Sequence, residues 1–284
     1  MGKPIKIIEV GPRDGLQNEK AIVSTQDKIT YIKKLVESGL ENIELTSFVS
    51  SKNIPQLFDA KEVIEAIDLK PTYSVLVPNM KGLERALETK IKRIAIFTAA
   101  SETFNKKNIN MTIEESIKNY KSVVKLALEK GISIRGYVST CFICPFDGKV
   151  SKEKVLEVTN ELLDMGVDEV SIGDTIGSAL PNDVYETVGF LLGTIPKEKI
   201  ALHFHDTYNN ALLNVAAGLE LGITTFDSSS GGIGGCPYAP GASGNLSTES
   251  LVNFLDTINV KSGVDLKKLA EASAFIKSVL GRVL

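Results

Sequence analysis

Arg93-Ile94-Ala95-Ile96-Phe97-Thr98 is the stretch on which the reading of the fold turns. Its apolar residues are consecutive rather than alternating, as in a strand buried on both faces, and parallel sheets covered by helices bury their strands in that way. Working outward in both directions, comparable β-branched runs recur at Ile5 to Val10, Asn42 to Thr46, Thr72 to Val77, Ser133 to Thr140, Glu169 to Gly173, Ile200 to His205 and Thr224 to Ser228. Each is followed by a turn signal and then a helical pattern, which makes eight strand-helix units with the first. Ser24 is placed to cap a helix from Gln26 to Glu37, with Ile29, Ile32, Leu35 and Val36 on one face and a stop at Gly39. Thr112 and Glu115 form a capping box for a helix that closes at Gly131. After Ser151 the stripe Val155, Val158, Leu162 and Leu163 runs to Gly166, Pro181 opens a helix to about Leu192, and Asn209 to Leu221 ends at Gly222. Ser247 begins the eighth helix, and a ninth, Leu266 to Leu280, is expected to cover the barrel wall or a partner subunit.

Eight such units in about 260 residues, without a linker or low-complexity stretch, predict an α/β chain folded as a (β/α)8 TIM barrel. The expected layout is one catalytic domain over 1–284, with the barrel from about 5 to 260 and an additional C-terminal helix from about 265 to 281. A doubly wound open sheet is the alternative, but Gly11-Pro12-Arg13-Asp14-Gly15 follows the first strand where that fold places Gly-x-Gly-x-x-Gly. The chain has 284 residues, 43% of them hydrophobic, with 32 Lys and Arg against 35 Asp and Glu and a formal charge of −3. That is globular composition, and without a basic block it argues against nucleic acid or an anionic membrane as partner and for a small molecule. No apolar run approaches about 18 residues, and the N-terminal residues enter a strand pattern at Ile5 without an apolar signal core. Three cysteines give no disulfide framework, so a reducing compartment, the cytoplasm, is expected.

Barrel enzymes work at the C-terminal ends of their strands. The only two histidines, His203 and His205, stand two apart at the end of the seventh strand, so both imidazoles face the mouth together, as a metal would require. Two independent core or rim histidines are the alternative. After the first strand, the Asp14 carboxylate can bind a divalent cation and the Arg13 guanidinium can pair with a substrate oxygen; an Arg-Asp surface turn is the plainer reading. Glu44 is an acid inside an apolar strand, either catalytic or held in a structural ion pair. Asp174, in Gly173-Asp174-Thr175-Ile176-Gly177, lies at the sixth strand end as a site acid or a helix cap. The segment after the eighth strand, Ser228 to Asn245, is dense in glycine, which suits a lid or a backbone brought close to a ligand. Within it Cys236 is an accessible thiol, and Asn245 is a cap or a fourth, oxygen-donating ligand. Cys141-Phe142-Ile143-Cys144 has Cys-x-x-Cys spacing but no second pair, and is expected to line the pocket rather than hold metal.

Two imidazoles, a carboxylate and an amide oxygen form a mixed N/O set that favours Mg²⁺ or Mn²⁺ and also suits Fe²⁺ or Zn²⁺. A cation of that kind beside Arg13 fits aldol or Claisen chemistry, and no organic cofactor is expected. At these residues the sequence resembles the 3-hydroxy-3-methylglutaryl-CoA lyase family, part of a wider barrel group that includes isopropylmalate and homocitrate synthases. The likeness runs from Val10-Gly11-Pro12-Arg13-Asp14-Gly15-Leu16-Gln17-Asn18-Glu19 through Glu44-Leu45-Thr46-Ser47-Phe48-Val49 and His203-Phe204-His205-Asp206-Thr207-Tyr208 to Gly234-Gly235-Cys236-Pro237-Tyr238 and Asn245. The resemblance implies cleavage of 3-hydroxy-3-methylglutaryl-CoA to acetoacetate and acetyl-CoA in leucine breakdown, by a homodimer. By the same resemblance, Asp14, His203, His205 and Asn245 bind the cation, and Arg13 stabilises the enolate. Glu44 and Asp174 orient these groups, His203 or Asp14 moves the hydroxyl proton, and Cys236 closes over the site. Gln17, Lys20 and Thr175 join Arg13 against the acyl-CoA substrate. The chain departs from the family pattern at Gly231 and Ile233 and at Asn209-Asn210, none of them a proposed ligand. Two alternatives stand beside this reading. One is a condensing or aldol enzyme of the same group, acting on another hydroxyacyl-CoA or on a 2-oxo acid plus acetyl-CoA; the other is a non-enzymatic barrel that binds an acyl-CoA or a metal.

Overall fold

A computed structural model describes residues 4–70, 72–235 and 244–282. Eight strands form the barrel: β1 Lys6–Glu9, β2 Asn42–Ser47, β3 Ser74–Leu76, β4 Arg93–Ala99, β5 Ser133–Ser139, β6 Glu169–Asp174, β7 Ile200–Phe204 and β8 Thr225–Ser228. Each lies parallel to its sequence neighbours, and β8 closes on β1 with Lys6 opposite Thr225 and Glu9 opposite Ser228. This is the (β/α)8 TIM barrel, and the closed sheet rules out the doubly wound alternative. Ile94 and Ile96 are fully buried against the surrounding helices, and Ala95 is buried on the opposite face. Consecutive apolar residues in β4 thus serve two separate cores.

The helix signals hold locally because each supplies a hydrogen bond. Ser24 accepts from the amide of Asp27 at the head of Thr25–Glu37, and the box predicted at Thr112 and Glu115 is formed in both directions before Ile113–Glu129. Ser151 and Ser247 cap Lys152–Asp164 and Thr248–Thr257 in the same way. Pro181–Leu191 and Ala211–Glu220 begin and end within two residues of expectation. Three helices carry no strong sequence signal: Ala60–Glu65 and Met80–Leu87 are short, and Glu102–Ile109 is strongly polar. A small antiparallel hairpin, Ile143–Cys144 with Gly148–Lys149, is likewise additional. The C-terminal helix, Leu266–Val279, lies against Thr25–Glu37, where the Asp265 amide donates to the Ser38 carbonyl at 2.7 Å and the Lys34 ammonium sits over the Phe275 ring. It therefore covers the barrel's first helix. Among the described residues no helix is long and apolar enough to cross a membrane.

The barrel interior is unusual in being ionic. Arg135 and Tyr137, and likewise Glu169 and Ser171, are i and i+2 on their strands and so share one face. Arg135 is 1% exposed. Its Nε donates to Glu169 at 2.9 Å, its Nη2 to Asp227 at 2.6 Å and its Nη1 to the Tyr137 hydroxyl at 2.8 Å. Lys6 reaches the other oxygen of Glu169 at 2.7 Å. Burial opposes ionisation of Asp227, but Arg135 and His203 together outweigh it and hold the carboxyl at about 2, below its ordinary 3.8; Glu169 is lowered in the same manner by Arg135, Lys6 and Arg93. A depressed carboxylate contributes stability that is present above its unfolded pKa and lost as pH falls through the folded one. Replacing Arg135 by Met leaves Asp227 buried without its guanidinium partner and Glu169 with Lys6 and Arg93 alone, and removal of one partner from a buried pair costs about 3–5 kcal/mol. Denaturant unfolding of Arg135→Met at pH 7 should show a loss of that order, and the gap to the parent should narrow as pH is lowered from about 4 towards 2.

Candidate active site

The first loop is shaped by what precedes Arg13. Gly11–Gly15 forms one π-helical turn with Pro12 in its first positions, and the amides of Arg13, Asp14 and Gly15 converge on the Val10 carbonyl at 3.1, 2.7 and 3.1 Å. Turns of this kind are rare and concentrate at functional sites. Arg13 is 6% exposed; its Nε donates to Glu44 and its Nη1 to Asp14 at 2.6 Å, while the guanidinium carbon lies 5.5 Å from the Tyr137 ring centroid. The Tyr137 hydroxyl donates to the second Glu44 oxygen at 2.9 Å. The pairing of β2 with β3 shifts between Glu44 and Thr46, a bulge of the type that re-aims side chains beside a site. Glu44 is therefore both a structural ion-pair partner and the group that orients Arg13.

His203 and His205 face the mouth together, with ring centroids 5.2 Å apart. One donor atom each from Asp14, His203 and His205 lies within 4.8 Å of the others. Asn245 joins them: its backbone bridges to His205, and its Nδ2 donates to Asp14 at 2.9 Å and to the Ile233 carbonyl at 3.2 Å. Gly234 makes this approach feasible, with φ at +103°; a Cβ there would lie 2.7 Å from both Asn245 Nδ2 and the Gly15 Cα.

The protonation states suit a cation. Burial alone would raise the Asp14 carboxyl, yet Arg13 and then the two histidines hold it far below its ordinary value. Burial, with His203 beside it, brings His205 down to about 4 and keeps it neutral near pH 7. Burial would also lower His203, but the bond to Asp227 together with the charges of Asp227 and Asp14 outweighs that and raises it. His203 Nδ1 is 3.2 Å from Asp227, and because an ionised carboxylate only accepts, Nδ1 carries a proton, so that in the neutral ring Nε2 is the nitrogen that keeps its lone pair. Among the described residues, His205 Nδ1 and Asn245 Oδ1 are buried without a hydrogen-bond partner. Buried polar atoms are normally satisfied, so orphaned donor atoms beside a carboxylate and a second imidazole fit a divalent cation.

The other expected residues fall in different places. Gln17 and Thr175 line the cleft of about 580 Å³ that opens above Arg13, Asp14 and the histidines. Asp174 is beside the site, but its carboxylate accepts the amides of Ser178 and Ala179 at 3.2 and 3.0 Å, so it caps the turn there; burial raises it to about 6. Lys20 is exposed and is not part of the cleft wall. Cys236 lies outside the described residues; Gly235, immediately before it, borders the cleft. The pocket-lining expectation for Cys141 and Cys144 is corrected. Both are buried away from the cleft, Cys141 donating to the Val138 carbonyl at 3.0 Å and Cys144 lying 3.1 Å from the Ser101 hydroxyl. Burial lifts the Cys141 thiol far above its ordinary value, which makes it a poor ligand or nucleophile. The sequence reading passes over Asp227, Arg135 and Tyr137. The signal that marks Glu44, a charge within a buried strand, applies equally to Arg135 and Asp227.

A family model described as HMGL-like matches residues 4–276. The chain is 50% identical over 282 residues to the mitochondrial hydroxymethylglutaryl-CoA lyase of Homo sapiens, covering 99% of this chain and 87% of that protein. It superposes on the crystal structure of the Bacillus subtilis HMG-CoA lyase with a TM-score of 0.97 and 47% identity, covering 100% of this chain and 97% of that one. An HMG-CoA lyase from Acinetobacter baumannii, solved in complex with coenzyme A and 3-methylmalate, gives a TM-score of 0.93 at 39% identity over 98% of this chain and 92% of that one. With a match over nearly its whole length and a mouth that gathers Arg13, Asp14, His203, His205 and Asn245, this chain belongs to the HMGL-like family.

Proposed function

We propose that the chain is a divalent-cation-dependent carbon-carbon lyase that cleaves 3-hydroxy-3-methylglutaryl-CoA to acetyl-CoA and acetoacetate. The observation that carries this reading is the convergence of Asp14, His203 and His205 beside Arg13, in a chain half identical to hydroxymethylglutaryl-CoA lyases. Asp14, His203, His205 and Asn245 would hold the cation, Mg²⁺ or Mn²⁺ by the N/O donor set. When bound, that cation polarises the substrate's hydroxyl and neighbouring oxygens and lowers the cost of removing the hydroxyl proton.

The reaction breaks the bond between the carbinol carbon and the carbon next to the thioester. The hydroxyl proton leaves to His203 or Asp14, the carbinol becomes the ketone of acetoacetate, and the bonding pair passes to the thioester as an enolate, whose carbon takes up one proton in turn to give acetyl-CoA, so that no net proton is gained or lost. Arg13 stabilises that developing oxygen charge, and its guanidinium is pre-aimed by Glu44 and stacked near Tyr137, so little reorganisation is left for the reaction itself. Asp227 fixes the tautomer of His203, and Asp174 shapes the turn beside the histidines. Gln17 and Thr175 meet the acyl portion, and Cys236 closes over the site. The acyl-CoA enters through the cleft above these groups. The molecule works as one catalytic domain in a homodimer, in the reducing cytoplasm and in leucine breakdown, with neither nucleic acid nor membrane as a partner.

Acetoacetate release from 3-hydroxy-3-methylglutaryl-CoA, measured on chelator-treated protein before and after Mg²⁺ or Mn²⁺, should appear only with metal and should be nearly abolished in His205→Ala. Folded protein that yields no product with either metal would remove this substrate. A second outcome concerns Asp227. Loss of a partner that orients a ligating histidine typically costs about 10–100-fold in metal affinity. Asp227→Asn should therefore weaken Mn²⁺ binding by that factor in calorimetric titration.

A further inference from the structure

Glu9 is fully buried and takes no part in the chemistry above. It stands three residues after Lys6, on the opposite face of β1, and so faces the helices rather than the barrel interior. Its Oε1 accepts the amides of Gly11 and Ser230, both at 2.9 Å, and its Oε2 accepts the Thr248 hydroxyl at 2.6 Å. These donors belong to three separate chain segments. Gly11 opens the π-turn whose amides, Arg13 and Asp14 among them, hang from the Val10 carbonyl. Ser230 is the base of the glycine-rich segment that runs to Gly235, and Tyr31 steadies it with a hydroxyl contact of 2.5 Å. Thr248 opens the helix three residues after Asn245, and the intervening chain is tied back by the Ser229 amide on the Leu246 carbonyl at 2.9 Å.

We propose that Glu9 is a positioning residue: one buried carboxylate joins the segments that carry Asp14, the glycine-rich loop and Asn245, and so sets the oxygen-donating half of the metal site. The inference rests on the proposed reading only in that the mouth holds a cation. The contact is close enough to dictate its neighbour, since a Cβ on Gly11 would lie 2.5 Å from Glu9 Oε1 and would also strike the Tyr31 hydroxyl. An acid here is costly, because burial lifts its carboxyl to about 7 against the pull of its three donors, with Glu249 adding to the rise. A side chain that served packing alone would be apolar. The nitrogen-donating half has a different support: His203 extends from β7 and is oriented from beneath by Asp227. The carboxylate and amide ligands stand on loops and depend on a tie between loops.

The test uses full-length protein with Mn²⁺ as the probe, reading its Kd by calorimetry and then kcat and KM at saturating metal. Glu9→Gln keeps an acceptor for both amides and an amide that can bond Thr248, so its Kd and kcat should stay within about threefold of the parent. Glu9→Met leaves two buried amides unpaired and should raise the Mn²⁺ Kd and lower kcat by about tenfold or more, with KM much less affected. Thr248→Val gives up the Oε2 contact, together with the 2.9 Å contact of the Thr248 hydroxyl to Ser228, keeps both amide bonds to Oε1, and should shift Kd in the same direction by roughly threefold. A folded Glu9→Met protein with Kd and kcat near those of the parent, even with a lower Tm, would overturn the proposal and leave Glu9 as a core acid of the fold. A Glu9→Gln protein as impaired as Glu9→Met would also overturn it. Should Glu9→Met not fold, an unchanged Mn²⁺ Kd in Thr248→Val decides against the proposal. Weaker Mn²⁺ binding in the variants, when even the parent fails to cleave 3-hydroxy-3-methylglutaryl-CoA, would sustain the role of Glu9 and remove the substrate.

Discussion

A guanidinium sealed inside a closed parallel barrel must have its charge and its N–H groups answered within that barrel, and in this protein the demand of Arg135 arranges much of what lies above it. Glu169 and Asp227 supply the negative charge, and Tyr137 accepts a further N–H. Each of these groups is then bonded onward: Glu169 to Lys6 at the floor, Asp227 to Ser171 and His203, and Tyr137 to Glu44 and through it to Arg13. A buried ion pair is seldom a better stabiliser than apolar residues of equal volume. The network is more readily understood as a scaffold for orientation, because both of its upper branches end on groups that face the mouth.

The two branches differ in stiffness. His203 projects from a strand hydrogen-bonded on both sides, with His205 immediately beyond its end, and Asp227 settles which nitrogen of His203 is presented. Asp14 and Asn245 are held by loops, where the backbone follows a π-turn on one side and glycines at positive φ on the other. Such segments gain close approach at the cost of conformational entropy. They require ties from outside the barrel, and Glu9, Tyr31 and Thr248 occupy that position between wall and helices.

Much of this was legible in the residues. Strand positions followed from continuous apolar runs such as Ile94 to Phe97, and helix starts from Ser24, Thr112, Ser151 and Ser247, because each of these signals is local. His203 and His205 could be brought to one face by the period of a strand alone. The run Thr72 to Val77 is longer than the strand it marks: β3 spans Ser74–Leu76, with the Val77 amide still donating to the Ala95 carbonyl at 2.8 Å. Asp227, Arg135 and Glu9 escaped because their meaning lies in partners 24 to 239 residues away along the chain, which no local pattern encodes. Asp174 shows the converse: its position at a strand end was evident, but its carboxylate is turned to the amides of Ser178 and Ala179. Cys141 and Cys144 have a spacing that metal sites also use, yet at this strand end the chain directs both into apolar packing.

The charge balance of the connected groups bears on what the mouth can accept. From Lys6 to Asp14 the ion-paired chain holds four cationic side chains, Lys6, Arg93, Arg135 and Arg13, and five carboxylates, those of Asp168, Glu169, Asp227, Glu44 and Asp14. With neutral histidines the chain is one charge negative, which alone would repel an anion from a low-dielectric cleft. A divalent cation on Asp14 would reverse that sign and leave one net positive charge beside Arg13. That is the complement of a single substrate carboxylate next to a hydroxyl, and it follows from the ionic barrel interior as much as from the ligands. A neutral, apolar interior beneath the same ligands would leave the mouth with a different charge. The acids that answer Arg135 would therefore bear on substrate binding, although neither Glu169 nor Asp227 stands at the surface of the site.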